Sequence, residues 1–80
     1  MKLSVGIITF NEERIIAKTI DAVKNIAGEI VIIDSNSTDK TVEIAKSKGA
    51  KVITQSWLGY GKKKNFMIDN CSGEWILSID

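Results

Sequence analysis

The chain has 80 residues, 44% of them hydrophobic and 26% charged, a composition that suits one small folded domain and excludes a disordered tail. Eleven Lys plus Arg against ten Asp plus Glu leave a formal charge of +1, so no overall field draws the protein to duplex nucleic acid or an anionic membrane, and any anion site must be local. One cysteine and no histidine exclude an internal disulfide and a zinc site of ordinary type. A domain this short buries only roughly 60% of its unfolded surface and has a small core at best.

In chain order, residues 3–9 (LSVGIIT) are rich in β-branched side chains and read as a first strand. Asn11 is the expected N-cap of a helix over residues 12–25, with Glu12 and Glu13 in its first turn, Ile16, Ile20 and Val23 at helical spacing, and Gly28 closing the segment. Residues 29–34 (EIVIID) hold four consecutive apolar positions, the mark of a central strand buried on both faces. Ser35, Asn36, Ser37, Thr38 and Asp39 follow, and the last three are assigned to capping a second helix whose apolar positions are Val42 and Ala45. Residues 51–55 (KVITQ) form a weaker third strand suited to an edge, a third helix runs over residues 62–71, and residues 74–80 (EWILSID) form a fourth strand.

Alternating strands and helices call for a parallel sheet with right-handed crossovers, an α/β fold of order βαβαβαβ in three layers. A simple strand progression competes with the order 3-2-1-4. The second is preferred, because it makes the apolar second strand internal and the polar third strand an edge. Handedness then sets the first two helices on one face and the third on the other, leaving one face thinly covered, so self-association or low stability is expected.

Ligands of such sheets bind at the carboxyl ends of the strands where the order reverses, which selects Thr9, Phe10, Asn11 and Asp80, with Asp34 beside them. The first turn (Thr9, Phe10, Asn11, Glu12, Glu13) has no glycine and two acids, so it cannot cradle a phosphate; an aromatic beside amide and carboxylate groups suits a neutral base. Core packing of Phe10 and capping by the acids are the structural alternatives. Asp34 emerges at a strand end where it could accept from a nucleobase or ribose, or else close an Asx-turn. Lys62, Lys63 and Lys64 at a helix start oppose the helix dipole, which a bound diphosphate would offset; a solvated basic face is the alternative. Trp57 and Tyr60 fit either loop packing or ligand contact. Asp80 closes a well-formed strand and reads as a point from which the chain continues.

These positions together resemble the start of an inverting glycosyltransferase of family 2 with the GT-A nucleotide-sugar fold. The matching pieces are residues 4–13 (SVGIITFNEE), 30–41 (IVIIDSNSTDKT), 61–65 (GKKKN) and 73–80 (GEWILSID), and their order and spacing carry the likeness. Within the family the chain is most similar to bacterial enzymes that add a sugar to the lipopolysaccharide core.

The resemblance implies that residues 1–80 are the nucleotide-sugar-binding N-terminal part of a transferase domain. Phe10 would take the place of an aromatic that packs on uracil. Asp34 matches the first of two adjacent acids and Ser35 stands where the second would be, with Asp34 expected to read the base. The lysines would lie near base or diphosphate. Asp80 would be the first carboxylate of Asp-x-Asp, contacting the ribose or indirectly organising Mg2+ or Mn2+, whose principal ligand and the catalytic base would both follow residue 80. The implied partners are a UDP-sugar donor and a glycan or lipid-linked acceptor, not nucleic acid. The expected location is the cytoplasm, with the inner face of the cell membrane the place where a lipid-linked acceptor is met. The 80 residues alone are expected to be inactive. A noncatalytic nucleotide-binding module is the main rival. A phospho-receiver would need an acceptor aspartate where Gln55 and Ser56 stand, and a nucleotidyltransferase would need a Gly-rich basic turn after the first strand.

Overall fold

The computed structural model describes residues 2–56 and 59–79, without the side chain of Tyr60. Four strands, β1 (Leu3–Thr9), β2 (Glu29–Asp34), β3 (Lys51–Thr54) and β4 (Trp75–Ile79), alternate with three helices, α1 (Ile16–Val23), α2 (Thr41–Ser47) and α3 (Tyr60–Asp69). The strands form one sheet in the order β3-β2-β1-β4, and every pairing is parallel. The preferred order 3-2-1-4 is therefore the observed one. β2 is internal and its last four residues are buried, as four consecutive apolar or terminal positions demand, whereas β3 at the edge is only half-buried.

Side-chain alternation along the strands divides the core in two. Val5 and Ile7 of β1 and Ile32 of β2 face α1 and α2, where Ile16, Ile20 and Val23 supply one apolar stripe and Ala45 and Ala50 complete the cluster. On the opposite face Val31 and Ile33 pack against Met67 of α3. The third helix approaches closely because β1 carries Gly6 there: a Cβ at that position would lie 2.4 Å from the Met67 sulfur. The helices stand on the two faces as handedness requires.

Two expectations change. Sparse cover was expected over one whole face, but it is concentrated on β4, whose Trp75 and Leu77 on one face and Ile76 on the other are all exposed. Only the end of this edge strand joins the core, where Ile79 packs against the cluster of β1 and α1. The first helix also begins at Ile16, not at residue 12; residues 13–15 form a turn, and the amides of Ile15 and Ile16 both donate to the Glu12 carbonyl. Asn11 is not its N-cap. It sits at φ 50°, in the left-handed region that asparagine tolerates better than most residues, and its side chain turns to another loop.

Candidate nucleotide site

The parallel register places Thr9 beside Asp34, so the β1–α1 turn and the β2–α2 loop leave the sheet side by side at its carboxyl edge. Both loops consist largely of residues whose side chains bond to backbone, and these join the two loops to each other. The amides of Asn11, Glu12 and Glu13 donate to Ser37 Oγ at 2.8 Å, Thr41 Oγ1 at 2.8 Å and Asp39 Oδ2 at 3.1 Å. In return Asn11 Oδ1 accepts from the Thr38 amide at 2.8 Å and, more distantly, from the Asp39 amide and the Thr38 hydroxyl, both at 3.4 Å. A helix start leaves amides without intrahelical acceptors; here the turn that leads into α1 has its own satisfied by side chains from a loop about 26 residues further on.

Two hydroxyls act as relays in this clasp. Ser37 Oγ accepts from the Asn11 amide and donates to Asp34 Oδ1 at 2.6 Å, while Thr41 Oγ1 accepts from the Glu12 amide and donates to Asp39 Oδ1. Only a group that both donates and accepts serves there. Ser37 and Thr38, assigned to capping from the sequence, are thus cross-loop bonds. Asp39 does support the start of α2, accepting from the Thr41 amide at 3.0 Å. Burial works to raise the Asp39 carboxyl, but the hydrogen bonds from Thr41 and Glu13 outweigh it and hold the group below its ordinary value.

Asp34 is fully buried. Its Oδ1 accepts from Thr9 Oγ1 at 2.7 Å as well as from Ser37 Oγ, and its Oδ2 from the Ser37 amide at 2.7 Å. It therefore closes the Asx-type turn that stood as its alternative and offers no surface to a ligand. Ser35, half-buried beside it, has its amide bonded to the Thr9 carbonyl and stands at the rim. Phe10 takes the opposite course. At 58% exposure it is not core, and its ring stands on the solvent side between two anchored neighbours.

The lysines divide. Lys62 is exposed, Lys64 is half-buried, and Lys63 is fully buried on the inner face of α3, one turn before Met67. Desolvation pulls the Lys63 ammonium below its ordinary value, and the charge of Asp34 pulls the other way. Lys63 faces inward toward Asp34, and Met67 four residues later is the sequence signal that marks this face. Glu12 is half-buried close to the same acids, and its carboxyl is raised first by desolvation and then by the charges of Asp34 and Asp39. Phosphate would be repelled at this turn, while a neutral ring would not.

Thr9, Phe10, Asn11, Glu12, Asp34, Ser35 and Lys63 thus share one edge of the sheet; Trp57, the Tyr60 side chain and Asp80 lie outside the described residues. Among the described residues no group of three or more metal-ligating side chains gathers, and the oxygens of Asp34 and Asp39 are already occupied by loop donors. The described residues build no metal centre. Among them, too, no helix is long and apolar enough to cross a membrane.

The four-stranded parallel sheet, whose order reverses between β1 and β4 and whose β1–α1 and β2–α2 loops are fastened together, is a doubly wound α/β architecture. The model of the family described as Glycosyl transferase family 2 matches residues 4–80, and the chain belongs to that family. It is 52% identical over 79 residues to an uncharacterized glycosyltransferase of Rickettsia typhi, covering 99% of this chain and 27% of that protein. It is 36% identical over 85 residues to the lipopolysaccharide core biosynthesis glycosyltransferase LpsC of Rhizobium meliloti, covering 100% of this chain and 31% of that one. Among solved structures, glucosyl-3-phosphoglycerate synthase from Mycobacterium tuberculosis, in complex with Mn2+, UDP and glucosyl-3-phosphoglycerate, superposes with a TM-score of 0.85 at 27% identity over 99% of this chain and 33% of its own. The same enzyme is also known with Mg2+ and UDP. The chain spans about a quarter to a third of the length of the relatives it matches. The GT-A architecture implied by the sequence resemblance is the one observed.

Proposed function

We propose that this chain forms the donor-nucleoside half of an inverting glycosyltransferase that takes a UDP-hexose and delivers the sugar to a lipopolysaccharide core or another glycan acceptor. The observation that carries the reading is the exposed Phe10 ring, held at the strand-order reversal by a turn whose neighbours on both sides are bonded into the sheet or the opposite loop. An aromatic face supported in this way stacks a base, and Ser35 at the rim supplies a small hydroxyl for its edge. Lys62 and Lys64 are the lysines left to meet a diphosphate. UDP in the mycobacterial synthase and the lipopolysaccharide acceptor class of LpsC support the choice of donor and acceptor. Reaction at the cytoplasmic side of the membrane follows from a soluble nucleotide-sugar meeting a lipid-linked acceptor.

In the reaction an acceptor hydroxyl displaces the nucleoside diphosphate from the anomeric carbon with inversion, and a carboxylate base takes the hydroxyl proton. A divalent ion, assigned through the resemblance to the neighbourhood of Asp80, neutralises the leaving diphosphate when bound. The side chains of the two fastened loops bind and orient the nucleoside.

The test is UDP titration of the full-length enzyme with and without Mn2+, alongside Phe10→Ala. Loss of the stacking face is expected to weaken UDP by roughly tenfold or more, the scale of about 1–3 kcal/mol for a base on an aromatic ring. The thermal midpoint should barely move, since the ring is largely exposed. Equal affinity in the two proteins would overturn the stacking role, and metal-independent binding without sugar transfer would favour a noncatalytic module.

A further inference from the structure

The clasp between the two loops depends unequally on its members. Of the six hydrogen bonds that cross between residues 11–13 and residues 37–41, four involve Asn11: one from its amide and three to its side-chain oxygen. Asn11 also occupies a left-handed backbone conformation, φ 50°, which lets its amide point at Ser37 while its side chain reaches the amide of Thr38. Its neighbour Phe10 makes none of these bonds. The turn before Phe10 is pinned by the sheet and by Thr9 Oγ1 on Asp34, and the turn after it is pinned by Asn11. With both flanks fixed, the direction of the Phe10 Cα–Cβ bond is fixed as well, although the ring touches solvent.

We propose that Asn11 is a positioning residue for nucleoside binding: it locks the β1–α1 turn to the β2–α2 loop and so holds the Phe10 ring at the angle at which a base stacks. The residue acts through Phe10 and not on the ligand. This rests on the nucleoside reading of the site. It also gives a physical reason for asparagine at this position. Glycine would take the backbone conformation but offers no acceptor, aspartate keeps the acceptor, and alanine has neither the acceptor nor the conformational tolerance.

The experiment uses the full-length enzyme and the variants Asn11→Gly, Asn11→Asp, Phe10→Ala and Phe10→Ala with Asn11→Gly. UDP dissociation constants and inhibition by inorganic diphosphate are measured for each. Asn11→Gly should weaken UDP by about tenfold while leaving diphosphate inhibition within about twofold, because the phosphates do not touch the stacking face. Asn11→Asp should recover most of the UDP affinity. In the Phe10→Ala background Asn11→Gly should cost little more, because its effect passes through the missing ring. Full additivity of the two substitutions, an equal loss for UDP and diphosphate, or wild-type UDP affinity in Asn11→Gly would each overturn the positioning role. Failure of the wild-type enzyme to bind UDP is a distinct result, which would overturn the nucleoside reading and this role with it.

Discussion

β2 begins with Glu29 and ends with Asp34, and the two carboxylates are held in the same way. Glu29 accepts from the hydroxyl of Ser4 in β1 and from the amide and hydroxyl of Ser72; Asp34 accepts from the hydroxyl of Thr9 in β1 and from the amide and hydroxyl of Ser37. The amino edge uses this arrangement to close the sheet. Ser4 Oγ also accepts from the Gly73 amide and Lys2 Nζ donates to Ser72 Oγ, so the segment entering β4 is fastened to β1 and β2 together. At the carboxyl edge the same arrangement organises a loop, and that loop goes on to bond a second one and leaves Phe10 facing outward. Both edges keep an exposed aromatic, Phe10 at one and Trp75 at the other, so what separates them is the second loop: at the carboxyl edge the stapled loop goes on to bond the turn that carries Phe10, and at the amino edge it fastens the segment that enters β4.

The largest expected effect comes from breaking the carboxyl staple. Asp34→Ala leaves Thr9 Oγ1 and both Ser37 donors without their acceptor and removes the charge facing buried Lys63, a loss of about 3 kcal/mol by the cost of opening a buried charged network. Asp34→Asn keeps the shape and part of the acceptor set and should lose less. In the full-length enzyme both variants should weaken UDP through the loop, as read by titration calorimetry at a temperature below the unfolding midpoint of each. Glu29→Gln provides the contrast: lower stability by about 1 kcal/mol, with UDP affinity intact. UDP binding that tracks stability equally at both edges would break the distinction between them.

Glu29 also sets an acid limit. Hydrogen bonds from the Ser4 hydroxyl and then the Ser72 amide hold its carboxyl at about 2, well below its ordinary 4.5. The folded state prefers the ionised form, so this contribution is complete above pH 4.5 and is lost as the pH falls toward about 2. Chemical denaturation at a series of pH values should show wild type losing stability through that window more steeply than Glu29→Gln. Parallel slopes would mean that the amino staple does not depend on the carboxylate.

Much of this was legible in the sequence, and the failures share a cause. The four strands, their order and the two core faces follow from short-range patterns: consecutive apolar residues in β2, helical spacing of Ile16, Ile20 and Val23, and polar termini on β3. The N-cap at Asn11 and the capping role of Ser37 and Thr38 are readings from neighbours in the chain. Their real partners are far away in sequence, since the Asn11 amide meets Ser37 and the Thr38 amide meets the Asn11 side chain. A run of five polar residues, Ser35 through Asp39, exceeds what one helix start can use, and that excess was the available sign of a second loop to be satisfied. Asp80 and Trp57 lie outside the described residues, so their assigned roles stay with the sequence resemblance.

The smallest expected effect separates the edges by sign. Glu12 has its carboxyl raised by desolvation and by the neighbouring Asp34 and Asp39 charges, so the folded state holds its proton more tightly than the unfolded chain does. Stability from this group is therefore present at low pH and lost as the pH rises past the ordinary carboxylate value, opposite to Glu29. Glu12→Gln should raise the thermal midpoint slightly at neutral pH and leave it unchanged in acid, where the wild-type group is already neutral. If the binding edge tolerates this uncompensated acid because a neutral nucleobase sits beside it, the same substitution should also reduce discrimination against phosphate-rich competitors, read as stronger inhibition by inorganic triphosphate. A lower midpoint at neutral pH would show that Glu12 is held by favourable contacts, and the carboxyl edge would then be as fully satisfied as the amino edge.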